Sequence, residues 1–153
     1  MAYTIADMED TFLAALEPMR TTHAVRVIKT YGSELDTEPE IKKAVKLFPS
    51  IYAVYGGSRY EVHGSRKVER MRFIFFACDR SHRQEEEPRR GGAGNPGTYA
   101  LLNGMRDLLC GSQLSLEIHP AELLREEMVW VGAGISVYAA EYETAQAHLY
   151  TGS

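Results

Sequence analysis

Residues 67–79, with the sequence KVERMRFIFFACD, are the longest strand-like run of the chain. Charged residues are frequent at its start, whereas the stretch 71–78 is apolar at almost every position. A strand carries successive side chains on opposite faces, so a run that is apolar on both faces is buried on both sides. We therefore expect this segment to be the central strand of a sheet that is covered on both faces.

Five further strand-like runs lie on either side of this segment. They are residues 22–31, 51–56, 59–63, about 126–132 and 135–144. The glycines of 56–58 predict a tight reversal or a bulge, and those of 132–134 are typical of a hairpin turn. Strands joined by such short connections pair mainly antiparallel.

Three segments have the three- and four-residue spacing of an amphipathic helix. The first begins at Thr4 and ends at Pro18, the second begins at the capping box of Thr37 and Glu40, and the third begins at Pro96. The apolar faces of the first and third helices are Ile5, Met8, Phe12, Leu16 and Met19, and Tyr99, Leu102, Met105, Leu108 and Leu109.

The order of these elements predicts an α+β fold in one domain, residues 1–153. It is a mainly antiparallel sheet flanked by an N-terminal helix, a short second helix and a third helix. The segment at about 80–97 combines clustered charges with glycines and prolines, so we expect a long exposed loop that is mobile in the free subunit. Residues 145–153 are expected to be a loose tail.

Composition excludes several classes of protein. Seventeen Lys and Arg against 21 Asp and Glu give a net charge of −4, which argues against a protein that grips duplex DNA but not against one that DNA passes. No apolar run approaches the roughly 18 residues of a membrane span, and the acidic N-terminus is unlike a secretory signal. Cys78 and Cys110 are expected to be buried thiols in a reducing cytoplasm.

The glycine-rich stretch 91–98 is the strongest candidate for a small-molecule site. It precedes a helix, and backbone amides in that position can bind phosphate. However, the P-loop ending of Gly-Lys-Ser/Thr is absent, and no lysine follows Lys67. A flexible connector is the alternative interpretation.

Other catalytic and metal-binding patterns are weak. The five histidines (His23, His63, His82, His119 and His148) have no metal-ligand spacing, although His82 beside the acidic run 85–87 could bind a stray cation. Nucleophile motifs are absent, and neither cysteine has a neighbouring histidine. We therefore predict no catalytic, cofactor or metal site and no enzymatic activity.

Surface residues are the remaining candidates. Tyrosine and arginine are enriched in protein–protein interfaces, and several tyrosines lie on the predicted strands: Tyr52, Tyr55, Tyr60, Tyr138 and Tyr142. The candidate interface residues are Arg66, Lys67, Arg70 and Arg72 in the long strand and Arg83, Glu85, Glu86, Glu87, Arg89 and Arg90 in the loop. The alternatives are a solvated strand end and tyrosines that only cap the core.

Two stretches carry a resemblance to a known family. Residues 48–60 read FPSIYAVYGGSRY, and residues 97–111 read GTYALLNGMRDLLCG and are followed by a final hairpin ending in VYAAEYET at 137–144. With the N-terminal helix they resemble the tail protein family of bacteriophage Mu and Mu-like prophages that acts as tail terminator. The resemblance extends from the first helix to about residue 144.

The resemblance implies a structural protein of a contractile tail, with a tail-terminator-like fold. Such proteins form a ring, expected to be a hexamer, at the head-proximal end of the tail in the virion. The implied partners are further copies of the chain, the tail tube protein, the tail sheath protein and the neck or head-completion proteins. Phage DNA would pass through the lumen without sequence-specific binding, no membrane is involved, and assembly takes place in the host cytoplasm.

Two other functions are compatible with the sequence. One is a different tail or neck protein, such as a tail-completion factor or a tube-like subunit. The other belongs to a different class, a small phosphate- or nucleotide-binding enzyme that uses the 91–98 loop.

Overall fold

The computed structural model of the protein describes residues 2–149, and the side chains of residues 2–148. Its strands are β1 (Val27–Thr30), β2 (Ser50–His63), β3 (Arg66–Arg80), β4 (Glu122–Gly132) and β5 (Ile135–Leu149). Its helices are α1 (Ile5–Leu16), α2 (Met19–Thr22), α3 (Glu38–Ala44), which continues into a 3-10 turn at Val45–Leu47, α4 (Glu87–Arg90) and α5 (Thr98–Leu109).

The five strands form one sheet in the order β1-β2-β3-β5-β4. The β1–β2 pair is parallel and the other three pairs are antiparallel. The predicted α+β class is therefore confirmed. The segment 67–79 lies within β3, in the middle of the sheet, as its apolar composition predicts.

A β-bulge explains the glycines of 56–58. The pairing of β2 with β3 shifts between Tyr55 and Gly57, and the strand continues to His63. The runs 51–56 and 59–63 are thus one strand, and the reversal comes after it, at Gly64 and Ser65.

Each face of the sheet has its own hydrophobic cluster. The larger one joins Met71, Phe73, Phe75 and Ala77 of β3 to α1 and α5, where Phe12 lies 5.1 Å from Phe73 between ring centroids. We call this side the helix face. The smaller cluster lies on the opposite face near α3 and consists of Ala44, Phe48, Tyr52, Cys78 and Val137. Odd-numbered β3 residues face one cluster and even-numbered residues the other.

The helix starts agree with their sequence signals. The side chain of Thr4 accepts a hydrogen bond from the Asp7 amide, and Thr37 does the same for Glu40. The predicted apolar face of the third helix is partly wrong, because Tyr99 is exposed and Leu101 is buried in its place.

Three further expectations need correction. The tail was expected to be loose from residue 145, but 145–149 belong to β5 and pair with 66–70 of β3, and Ala145 and Gln146 are buried. Residues 150–153 lie outside the described part of the chain. The run 22–31 contributes only the four residues of β1, since α2 extends to Thr22 and Ala24 has a φ of +53°, which interrupts an extended strand. Cys78 is buried, whereas Cys110 is exposed because it follows the last turn of α5.

Candidate assembly surface

The end of the sheet next to the β2–β3 turn carries three of the ten predicted interface residues, Arg66, Lys67 and Arg70. We define the distal end as residues 59–63 of β2, 66–70 of β3 and 145–149 of β5, and call the rest of the sheet its proximal part. Among the side chains of the distal end that the structure describes, up to residue 148, none belongs to either hydrophobic cluster. Its stability therefore depends on strand pairing and on polar contacts.

The four predicted cations of β3 are divided between the two faces of the sheet. Arg66 is exposed beside the hairpin turn, and the Lys67 ammonium lies 4.4 Å from the centroid of the Tyr60 ring on the helix face. On the opposite face, Nε of Arg70 lies 2.9 Å from Oε1 of Glu61. Nη2 of Arg72 donates to the carbonyl of Gly56 at 3.0 Å. Arg70 and Arg72 are thus engaged within the subunit.

Two buried carboxylates on β5 hold these arginines, and no motif in the sequence indicates either of them. Glu141 lies 3.0 Å from Arg72 and 2.8 Å from Arg125, and Glu143 lies 3.7 Å from both Arg70 and Arg59. The ion pairs link β2, β3 and β4 to β5 across one face. Glu141 and Glu143 share one face of the predicted last strand, but only the register shows that it is the face of the arginines.

A second polar cluster surrounds the buried carboxylate of Glu69 on the helix face. Oε2 accepts from Ser58 at 2.8 Å and from Tyr60 at 3.1 Å, and Oε1 accepts from Gln146 at 3.1 Å and lies 2.9 Å from Nε2 of His148. Burial acts to raise the pKa of Glu69, but these hydrogen bonds outweigh it and hold the pKa below its usual value.

This cluster contains the residue types of a hydrolase triad in an unsuitable order. In a triad the histidine lies between the hydroxyl and the carboxylate, so that it can take the hydroxyl proton. Here the carboxylate of Glu69 lies between Ser58 and His148. The arrangement therefore ties three strands together and offers Ser58 no histidine base.

The segment 80–97 is more ordered than a long exposed loop. It contains α4, in which Pro88 is buried, and a bridge between Gly92 and Asn95. The side-chain amide of Asn95 donates to Oδ2 of Asp79 and to the carbonyl of Glu87, both at 2.9 Å. The segment is thus anchored within the subunit, which its glycines and charges did not indicate.

The start of α5 is occupied by a protein carboxylate. The Gly97 amide donates to Oδ2 of Asp79 at 2.6 Å, where a phosphate would be expected to bind. Burial raises the pKa of Asp79, although the hydrogen bonds from Asn95, Arg80 and Gly97 oppose this shift. A Cβ on Gly97 would lie 2.3 Å from the Gly91 nitrogen, so the two ends of the glycine-rich stretch pack against each other.

The predicted loop residues lie at the opposite end of β3 from the distal end. Arg83, Glu85, Glu86 and Arg90 are exposed, Arg89 is half-buried, and Glu87 is half-buried with its Oε2 at 2.6 Å from the Ser81 hydroxyl. Fourteen residue steps of extended strand separate Arg66 from Arg80, which is about 45 Å. The structure therefore divides the ten candidates into two separate surfaces.

The outer edge of β4 is a third surface, which the sequence analysis did not single out. Met128, Val129, Trp130 and Val131 follow one another and expose 63, 46, 42 and 38% of their area. Charged residues usually protect an edge strand, and an apolar edge is typical of a site that pairs with another chain. The predicted interface tyrosines, by contrast, are partly core: Tyr52 and Tyr142 are buried.

Among residues 2–149, no group of three or more His, Cys, Asp or Glu side chains is placed to hold a metal ion. Within the same range, no helix has the length and apolar character needed to cross a membrane.

Comparison with known proteins defines the class. The family model described as "Bacteriophage Mu, Gp37" matches residues 4–147, whereas no curated protein matches the sequence. In the virion of a native gene transfer agent particle, one chain is similar to this fold with a TM-score of 0.59 and 13% identity. The match covers 96% of this chain and 100% of that chain.

These findings support a structural protein of the phage tail or neck, a component of the virion. More specifically, the chain belongs to the bacteriophage Mu Gp37 family. The predicted relationship to bacteriophage Mu is thereby confirmed at the level of the family.

Proposed function

We propose that the protein is a tail terminator. It forms a ring, with six copies as the expected number, that caps the head-proximal end of a contractile tail. The ring ends polymerisation of the tube and sheath and provides the surface on which the neck or head-completion proteins assemble. The family match over residues 4–147 carries this proposal.

The distribution of surfaces supports a role in assembly. A closed ring needs heterologous contacts, in which one patch of a subunit meets a different patch of the next. The chain offers three unlike surfaces, namely the distal end, the loop residues 83–90 around α4 and the outer edge of β4. The distal end and these loop residues lie at opposite ends of β3, as expected of a subunit that contacts a tube on one side and a neck on the other.

The net charge agrees with the passage of DNA through the ring. Each subunit carries a formal charge of −4, and a ring multiplies that charge around its lumen. An acidic wall repels the phosphate backbone and so disfavours tight binding.

The test is to image tails assembled with and without the protein. We expect tails that lack it to be of uncontrolled length or unable to join heads, and a labelled copy to lie at the head-proximal end. If the labelled copy lies one ring above or below this position, the protein is another tail or neck component. Absence of label from the tail would overturn the proposal.

The nucleotide-binding alternative has a separate test. The Asp79 carboxylate at the start of α5 would repel a phosphate, so we expect no change in Tm on addition of nucleotides with or without Mg²⁺. Stabilisation by a nucleotide would favour the enzyme instead.

A further inference from the structure

The sheet has two open edges of different kinds. On one side β4 is the outermost strand over all 11 of its residues. On the other side β1 pairs only with residues 50–53 of β2, so residues 54–63 of β2 have no strand beside them in the described part of the chain. Both edges present backbone N–H and C=O groups that a further strand can bind.

Apolar side chains accompany both edges on the same face. Met128 and Val131 of β4 pair with Tyr138 and Ser136 and so lie on the helix face. Tyr60 and Val62 of β2 pair with Glu69 and Lys67 and lie on that face too, 52 and 63% exposed. Met128 and Val131 lie level with residues 138 and 136 of β5, whereas Tyr60 and Val62 lie level with residues 146 and 148. A sheet continued into a second copy that is shifted by about ten residues along the strands would bring these four side chains into one apolar row.

The charges near the two edges differ. Residues 122–131 contain three glutamates and one arginine, a formal charge of −2. The free edge of β2, residues 54–63, contains one arginine and one glutamate and is formally neutral, and Arg66 and Lys67 beside it in the hairpin bring residues 59–67 to +2. Arg106 binds Glu126, and Arg70 binds Glu61. If Arg106 is counted with residues 122–131 and Arg70 with residues 59–67, the formal charges of the two segments become −1 and +3. The signs still differ, which favours contact between unlike edges over contact between two copies of one edge.

The strand directions permit this contact. β2 and β5 run in one direction and β3 and β4 in the other. A sheet continued into the next copy keeps these directions, so β4 would meet β2 antiparallel. The free part of β2 lies mainly in the distal end of the sheet, whereas β4 pairs with residues 135–143 of β5, in the proximal part. For these two edges to meet, successive copies would have to be staggered along the strand direction. Closure of strands into a barrel-like ring requires such a stagger.

We infer that the outer edge of β4 in one subunit pairs with the free edge of β2, residues 54–63, in a second copy. Each subunit then uses both edges, and the contact is head-to-tail. This inference rests on the proposed ring and specifies which surfaces hold it together.

Cross-linking in assembled tails tests the contact. The background is Cys110→Ser, which removes the exposed thiol, while Cys78 is fully buried and burial raises the pKa of its thiol well above the usual value, so it does not react. Met128→Cys and Val62→Cys are introduced singly and together, both at exposed side chains. Isolated tails are treated with a short bis-maleimide and resolved by denaturing electrophoresis.

The expected result is a ladder from the dimer to the full ring with the double variant only. Dimers from Met128→Cys alone would show contact between two β4 edges, and a cross-link to another virion protein would show a different partner. Either outcome overturns the inference. Protein present in the tails with no cross-link also overturns it but leaves the terminator role standing, whereas protein absent from the tails overturns the terminator role itself.

Discussion

The proximal part and the distal end of the sheet share β2, β3 and β5, yet only the proximal part lies between helices. Its buried apolar side chains are mainly Phe, Met, Ile and Ala, and they pack against α1, α5 and α3. At the distal end the same strands carry Arg, Lys, Glu and His, and the buried Glu69 replaces an apolar core. Continuous strands thus connect a part with an apolar core to a part that exposes polar and apolar groups.

The largest expected difference between the two parts comes from truncation of a core ring. Phe75 is fully buried, with the rings of Phe12 and Tyr142 at 5.5 and 5.7 Å. We expect Phe75→Ala to lower the free energy of unfolding by about 3–5 kcal/mol, measured by denaturant titration. The exposed distal Val62→Ala is the control, expected within about 0.5 kcal/mol. Equal losses would show that the distal end is part of the core.

Anchoring of the glycine-rich stretch can be tested with a matched pair of glycines. Gly97 has a φ of +84° and no room for a Cβ, whereas nothing lies within 4 Å of a Cβ on Gly94. We expect Gly97→Ala to cost about 1–3 kcal/mol and Gly94→Ala to be close to neutral. If the Tm values of both variants equal that of the wild type, the stretch is not held as described.

The Glu69 cluster predicts acid sensitivity at the distal end. We expect Glu69→Gln to lower stability at pH 7 by about 1–3 kcal/mol, because hydrogen bonds to a buried charged acceptor are lost. The pKa of Glu69 is lower in the folded protein than its usual value of 4.5. Its contribution is therefore present above pH 4.5 and is lost as the pH falls through the folded-state pKa.

The corresponding measurement is the difference in unfolding free energy between wild type and variant from pH 7 down to pH 3. This difference should shrink on acidification. Glu38→Gln, at an exposed carboxylate, is the control and should show no comparable trend. A difference that is independent of pH would contradict the described role of Glu69.

The ion pairs between β4 and β5 are expected to have the smallest effect. Arg125 lies 2.8 Å from Glu141, but 63% of its side chain is exposed. A double-mutant cycle of Arg125→Ala and Glu141→Gln should give a coupling of about 0–1 kcal/mol that decreases with added salt. A coupling energy above about 2 kcal/mol would mean that the Arg125–Glu141 pair contributes as much to stability as a buried ion pair.

Local signals in the sequence predicted much of the proximal part. The apolar stretch 71–78 indicated a central strand, and the capping residues Thr4 and Thr37 marked two helix starts. These signals act over a few residues, so one sequence is enough to find them. The tail from residue 145 was misjudged because its pairing with β3 involves residues about 80 positions away.

The candidate surfaces were harder to predict because they depend on long-range register. Arg70 and Arg72 were identified as charged strand residues, but their partners Glu143 and Glu141 lie about 70 positions away. The apolar edge of β4 resembled an ordinary hairpin strand in the sequence. Only the strand order shows that, within the described residues, no strand pairs with the outer side of Met128 to Val131.

The pairing of β3 with β5 has a mechanical consequence. These two strands, each of 15 residues, remain in register from Arg66 opposite Leu149 to Arg80 opposite Ile135. A pull along the strand axis, with β3 held at one end and β5 at the other, would load the whole hydrogen-bond ladder in shear. The backbone hydrogen bonds between the two strands would then bear the force together, whereas a force that peels the strands apart would break these bonds one at a time. In the proposed role at the end of a tail, a force along the strands would be borne by this strand pair.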